Sequence, residues 1–270
     1  MENAEPEAPF RAVDDIGIRV PRTAMTEVDP EVQAMVMRLA GITRGAGIVM
    51  AAREIKADPT STLRTILALL RLLVFGRAQQ TIDEVKATAP RLGCKSGCAW
   101  CCYQNVEVTI PEAILVAAHI AADDPRRQRI AEAAATLGGL DDSARRRAGK
   151  PCPLLVDNRC SVYDDRPLMC RGMMAADAEG CRSVFEAGVT GEGSTSIEFY
   201  PMAQYFMLGD QAGMRGILKD MGLQHEPVEM TRAVAAILAD PDIVERWLAR
   251  ECAFGPDVVL ADETEPAPAP

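Results

Sequence analysis

Residues 94–102 read CKSGCAWCC, and this run of four cysteines decides how the rest of the chain is interpreted. Whether it forms a turn of helix or a glycine-containing loop, its four thiols come to one side. The two-residue gap between Cys98 and Cys101 lets successive thiolates share one tetrahedral ion, and it also suits an iron–sulfur cluster. The adjacent Cys102 rarely points at the same ion as Cys101. It is therefore a ligand of a second metal, a bridge, a free thiolate or a small buried apolar residue.

Four further cysteines follow in residues 151–181, a segment of different texture. The eight candidate metal ligands of the two blocks are Cys94, Cys98, Cys101, Cys102, Cys152, Cys160, Cys170 and Cys181. The ninth cysteine, Cys252, lies apart and is expected to be a buried structural thiol. Such clustering in a reduced protein is more typical of metal binding or redox chemistry than of structural disulfides.

The second block also carries a hairpin signal. Apolar residues 154–156 precede the polar pair Asp157–Asn158, and residues 160–163 then resume the apolar pattern. This arrangement predicts a small β-hairpin around a polar turn. Upstream, Thr109 is expected to cap a helix that opens with Pro111 and Glu112.

Composition favours helices elsewhere. Of the 270 residues, 48% are hydrophobic but only 4% are aromatic, so alanine, leucine, valine and methionine build the core. The predicted fold class is mainly α, a helical domain with an inserted small cysteine-rich metal module containing a short β-hairpin. The predicted boundaries are a disordered segment at 1–27, one helical domain at 28–260 with the module at 91–185, and a disordered tail at 261–270.

Charge and hydropathy exclude other classes. A net charge of −10 repels phosphate backbones, and the basic run 145–147 with Lys150 is interpreted as a solvated helix end or loop, so no nucleic-acid partner is expected. The most apolar stretch, 63–75, contains two arginines and is shorter than the roughly 20 residues that a membrane span needs. The acidic start of the chain has no signal-peptide pattern, and a cytoplasmic location is expected.

Two arginines accompany the second cysteine block. Arg166 and Arg171 could offset the negative charge of thiolates, as neighbours of metal ligands do, or could receive an anionic ligand. The alternative is that they form Arg–Asp pairs at the surface.

The combined pattern resembles a known family. CKSGCAWCC at 94–102, a Thr-Ile-Pro-Glu-Ala helix start, CPLLVDNRCSVYDDRPLMCRG at 152–172 and a later Cys181 are similar to the CxxCxxCC cysteine-cluster family. This YkgJ-like group is described as zinc- or iron-chelating, and it includes the flagellin lysine N-methylase branch. The first gap is three residues here, where the family name implies two. The resemblance implies metal-site roles for all eight clustered cysteines.

Three functions are consistent with these residues. The first is a metal-binding protein whose zinc or iron centre, a 4Fe–4S cluster included, is structural or redox-active. The alternative is an iron–sulfur-dependent protein-lysine N-methyltransferase, and the third is a helical interaction protein that needs zinc to fold. With only His119 and His225 available, a histidine-rich catalytic zinc site is poorly supported, and the sequence leaves open whether the protein is an enzyme.

Overall fold

The computed structural model describes residues 10–13, 18–21, 59–89, 91–191 and 200–260, with single positions at 34, 38 and 41. Near the start, strands β1 (Phe10–Val13) and β2 (Ile18–Pro21) form an antiparallel pair. This pair lies inside the segment predicted to be disordered, and the disorder of the remainder stays a prediction. The predicted tail at 261–270 lies outside the described residues.

The described chain is mainly helical, as its composition predicts. The helices are α1 (Pro59–Leu69), α2 (Gly76–Thr88), α3 (Ile110–Ala117), α4 (Arg126–Leu137), α5 (Asp142–Arg147), α6 (Leu168–Gly172), α7 (Ala178–Thr190), α8 (Pro201–Asp220), α9 (Met230–Ala239) and α10 (Ile243–Leu248). A π-helical turn, Leu70–Phe75, joins α1 to α2, and 3₁₀ turns occupy Trp100–Tyr103 and Tyr163–Asp165. None of these helices is long and apolar enough to cross a membrane.

The other strands are short, and each pairs with one partner strand. Strand β3 (Glu107–Val108) pairs antiparallel with β6 (Val228–Glu229), which joins the end of the first cysteine block to the C-terminal helices. Strands β4 (Leu155–Val156) and β5 (Arg159–Cys160) form the predicted hairpin. The prediction of a helical fold with a small hairpin in its cysteine-rich part is confirmed.

Helix α3 lies at the centre of the core. All of its residues from Ile110 to Ala117 are buried, and it packs against α9 and α1. Helix α8 places Met207 and Met214 in the same core and packs against α6. Because α6 lies within the second cysteine block and carries Cys170, this packing anchors that block to the helical body.

One buried carboxylate fixes the start of two helices. Thr109 caps α3 as predicted, and its N–H and hydroxyl each donate to Glu112 at 2.8 Å. The other oxygen of Glu112 accepts the Leu168 N–H at 2.8 Å, at the start of α6. Burial raises the pKa of Glu112, although these hydrogen bonds oppose the rise. The carboxylate therefore sets the position of α6 relative to α3.

Candidate metal centre

The first cysteine block is a loop followed by a short 3₁₀ helix. Gly97 has a φ of +87° and forms a turn in which Cys98 N–H donates to the carbonyl of Lys95 at 3.0 Å. Cys101 and Cys102 then lie on the 3₁₀ turn. This helix has about three residues per turn, so successive side chains leave the backbone about 120° apart, yet the two thiols are hydrogen-bonded to each other. The loop alternative therefore applies to the first two cysteines, and the last pair lies on a single helical turn.

A close backbone approach joins the loop to the start of α7. The Gly93 N–H donates to the carbonyl of Ala175 at 2.9 Å, and a Cβ on Gly93 would lie only 2.3 Å from the nitrogen of Ala178. The Ala175 N–H in turn donates to Cys94 Sγ at 3.2 Å. Since Cys181 lies in the first turn of α7, this contact brings the start of the loop beside that helix.

Aromatic packing joins the same helix to the 3₁₀ turn. The ring of Phe185 lies 4.4 Å from that of Tyr103 and 5.4 Å from that of Trp100, centroid to centroid. Cys181 and Phe185 are four residues apart on α7 and therefore share a face. Cys181 is thus on the side of α7 that faces Cys101.

The hairpin brings two more thiols to the first block. Asp157 and Asn158 have φ values of +50° and +58°, the conformation of a type I′ turn. Before the turn, the Cys152 N–H donates to the carbonyl of Cys102 at 2.7 Å, and after it Cys160 lies on β5. Cys152, Cys160 and Cys170 all pack against the hydrophobic core.

The thiols affect one another electrostatically. Burial raises the pKa of Cys152 to about 12, and the neighbouring Cys160 adds to this rise. Burial likewise raises the pKa of Cys181 to about 12, with contributions from Cys94, Cys98 and Cys101. Each thiolate that forms here therefore disfavours the ionisation of its neighbours.

The pKa values of the adjacent thiols Cys101 and Cys102 are shifted in opposite directions. A hydrogen bond between the two thiols lowers the pKa of Cys101 to about 7, and the charge of Arg166 also favours its thiolate. The same bond, together with burial, raises the pKa of Cys102. Cys101 is therefore the thiol of this pair that is ionised most readily.

The eight predicted ligands, referred to below as the thiol cluster, are all half-buried and lie on adjoining segments: the loop, the 3₁₀ turn, the hairpin, α6 and α7. In the described part of the chain, no three His, Cys, Asp or Glu side chains converge closely enough to hold an ion as they stand. The donor set nonetheless fits zinc or iron, which prefer thiolates. Closing a site requires the thiols to turn towards the ion, as happens where metal binding completes local folding.

Both predicted arginines lie beside the cluster. Arg166 stacks on Tyr163, 3.8 Å from the ring centroid, and its charge opposes the rise in the pKa of Cys160. Arg171 is only 5% exposed, lies 4.1 Å from the ring centroid of Phe75, and donates to the backbone carbonyls of residues 164 and 166. The surface-pair alternative is therefore wrong for Arg171. Burial lowers the pKa of this arginine to about 10.

A third arginine lies beside the thiols, which the sequence did not predict. Arg145 is buried, donates to the carbonyl of Lys150, and opposes the rise in the pKa of Cys152. The interpretation of the basic run as a solvated helix end is wrong at this position, whereas Arg147 and Lys150 are exposed. Three consecutive arginines show no periodicity, so the sequence offers no signal that separates the buried one.

The remaining candidates lie away from the thiols or at the surface. Cys252 is exposed, so the expectation of a buried thiol is wrong. His119 Nε2 lies 2.8 Å from Asp165, and His225 Nδ1 lies 3.2 Å from the carbonyl of Leu223. Both histidines are thus engaged elsewhere, which leaves a sulfur-only donor set at the cluster.

Asp165 ties the second block to the helical body. Its carboxylate accepts two hydrogen bonds from Arg71 on the π-helical turn, at 3.1 and 2.6 Å, besides the contact with His119 after α3. Burial alone raises the pKa of Asp165, but the hydrogen bonds from Arg71 and His119 outweigh it and hold the pKa below its ordinary value. This network fixes the segment that leads into α6.

Comparison with known proteins identifies this part of the chain. No curated protein and no solved structure matches the sequence. Residues 93–187, about a third of the chain, match the model of the family CxxCxxCC, described as "Putative zinc- or iron-chelating domain". The match contains all eight clustered cysteines, from the close approach at Gly93 to the C-terminal part of α7. The match thus covers the cysteine-rich part of a longer, mainly helical chain.

Proposed function

We propose that the protein binds zinc or iron through the eight clustered cysteines, and that the bound metal holds the CxxCxxCC domain together. The observation that carries this proposal is that four cysteine-bearing segments adjoin one another: the loop with its 3₁₀ turn, the hairpin, α6 and α7. Cys252, the one cysteine outside the matched range, takes no part in it.

The electrostatic interactions among these thiols favour a bound metal ion over a set of free thiols. Buried thiols that raise one another's pKa resist forming several thiolates at once, and a cation offsets that repulsion. The three buried or adjacent arginines contribute part of the compensation but cannot coordinate sulfur. A zinc ion or an iron–sulfur cluster supplies both the charge and the bonds.

A structural role follows from the length of the elements. The hairpin strands have two residues each, the 3₁₀ turn has four and α6 has five. Elements this short are not stable on their own in water. Metal–thiolate bonds between them would therefore contribute directly to the stability of the domain. A redox role requires that the metal be iron.

The test is anaerobic purification followed by metal analysis and an absorption spectrum. We expect stoichiometric zinc in a colourless protein, or iron with sulfur-to-iron charge-transfer bands in a brown one. Cys101→Ser should lower the bound metal, and Cys252→Ser is the matched control that should retain it. Equal metal content in both variants, or a parent chain that retains neither metal, would contradict the proposal.

The same spectrum bears on the methyltransferase alternative. Transfer of a methyl group to a protein lysine by the flagellin N-methylase route requires an iron–sulfur cluster, so stoichiometric zinc in the anaerobic protein would count against it. This alternative, like the cytoplasmic location, stays a prediction.

A further inference from the structure

We propose that the eight cysteines form two adjacent four-thiolate sites, so that one chain binds two metal centres. Cys94, Cys98, Cys101 and Cys181 form the first site, and Cys102, Cys152, Cys160 and Cys170 form the second. This inference rests on the proposed function and adds to it the number of centres and the ligands of each.

The first site joins the loop, the 3₁₀ turn and α7. Cys94 Sγ accepts the Ala175 N–H three residues before α7 begins, and Cys181 lies in the first turn of that helix. The contacts of Phe185 with the two aromatic residues that flank the cysteine pair hold the Cys181 face of α7 against the turn. Cys98 follows the glycine turn between Cys94 and the 3₁₀ helix.

The second site joins that turn to the hairpin and α6. The backbones of Cys102 and Cys152 are hydrogen-bonded directly at 2.7 Å, and Cys152 is linked through the hairpin to Cys160. Cys170 follows on α6, whose first N–H is held by Glu112. Cys152, Cys160 and Cys170 all contact the hydrophobic core.

The adjacent pair on the 3₁₀ turn lies where the two sets of ligands meet. The thiols of Cys101 and Cys102 are hydrogen-bonded to each other, so the two centres would be direct neighbours. Cys102, bonded through its carbonyl to Cys152, lies with the hairpin. Cys101 then completes the set from the loop and α7. The sequence feature that is awkward for one tetrahedral ion, two adjacent cysteines, is what two neighbouring sites require.

Ligand number agrees with this assignment. A structural zinc site takes four protein ligands, and a 4Fe–4S cluster takes four cysteines. Eight thiols in two sets of four therefore satisfy two centres of either kind with none left over. A single four-ligand centre would leave four buried thiols without a function.

The first experiment counts cobalt in the unaltered full-length chain. The reduced, metal-free protein is titrated anaerobically with Co²⁺, and thiolate-to-cobalt absorption is followed. Two sites require the absorption to rise until two equivalents are bound. An end point at one equivalent overturns the inference while leaving the proposed function intact. Absence of any thiolate–metal absorption, with no iron in the protein as purified, overturns both.

The second experiment assigns the ligands with paired variants reloaded with Zn²⁺ alone. We expect Cys94→Ser with Cys181→Ser, and separately Cys152→Ser with Cys160→Ser, each to halve the zinc retained by the parent. Cys252→Ser is the control that retains all of it. Loss of no zinc in either pair overturns the assignment. Loss of all zinc in both pairs, with the helical circular dichroism of the parent preserved, overturns it too.

Discussion

The substitution Gly93→Ala perturbs the contact that joins the cysteine loop to α7. A Cβ at this position would lie 2.3 Å from the Ala178 nitrogen, and 2.5 and 2.7 Å from the carbonyl carbon and Cα of Asp177. All three atoms belong to backbone and cannot turn aside as a flexible side chain can. The loop must therefore move away from the start of α7.

The expected cost can be estimated from that displacement. Inserting a methyl group into a tightly packed position costs about 1–3 kcal/mol. Losing the hydrogen bond from Gly93 to Ala175 adds about 1 kcal/mol. The expected decrease in the free energy of unfolding is therefore about 2–4 kcal/mol. Cys94 moves with the loop, so the metal-loaded protein should also retain less zinc.

Gly76→Ala is the matched control. Gly76 has helical backbone angles, a φ of −61° and a ψ of −46°, and a Cβ there would meet nothing within 4 Å. Alanine in this position should stabilise the protein by about 0.5–1 kcal/mol. The two glycine-to-alanine substitutions are thus expected to change the free energy of unfolding in opposite directions.

Urea unfolding followed by far-UV circular dichroism measures both changes, and zinc analysis after gel filtration measures retention. If Gly93→Ala is as stable as Gly76→Ala and retains as much zinc as the parent, the close approach of the loop to α7 does not position Cys94, and Cys94 and Cys181 do not share a metal site through that contact.

Three further substitutions test the surroundings of the cluster. Glu112→Gln keeps the shape of the side chain but turns its N–H₂ group towards one of the backbone N–H donors at the two helix starts. It should lower the free energy of unfolding in urea by about 1–3 kcal/mol. An equal decrease for Glu84→Gln, at an exposed position, would refute this. Asp165→Asn should cost about 1–3 kcal/mol at pH 7. Because the folded pKa is depressed, that difference is present above the unfolded pKa of about 3.9 and should shrink as pH falls below it, so a pH-independent difference would show that charge is not involved. Arg171→Lys keeps a cation near the thiols and Arg171→Gln does not, so the lysine variant should retain more zinc than the glutamine variant. Equal zinc retention in the two variants would show that Arg171 contributes to the fold alone.

Local features were predictable because short-range physics specifies them. The cap at Thr109 needs only a threonine and a glutamate three residues apart, and both side chains make the expected bonds. The hairpin needs only a polar pair that tolerates positive φ between two apolar strands, and Asp157–Asn158 is such a pair. The sequence did not indicate that Glu112 also binds α6, since that contact spans 56 residues.

Features that depend on contacts between distant residues were not predictable, because short-range physics does not specify them. Nothing near Arg145 in the sequence indicates that the helix beside it will bury one arginine of three. Cys252 follows an apolar helix, yet it is exposed, because burial depends on what packs over a position rather than on its residue type. The π-helical turn that presents Arg71 to Asp165 likewise lies in a stretch whose pattern suggests an ordinary amphipathic helix.

The sequence by itself determined which atoms are available for metal binding: eight clustered sulfurs, only two histidines, and a spacing that favours zinc or iron. Donor chemistry belongs to residue types, so composition and spacing are enough to establish it. Only the tertiary structure decided which cysteine-bearing segments lie side by side. The loop meets the start of α7, and the 3₁₀ turn meets the hairpin, through contacts between residues far apart in the chain.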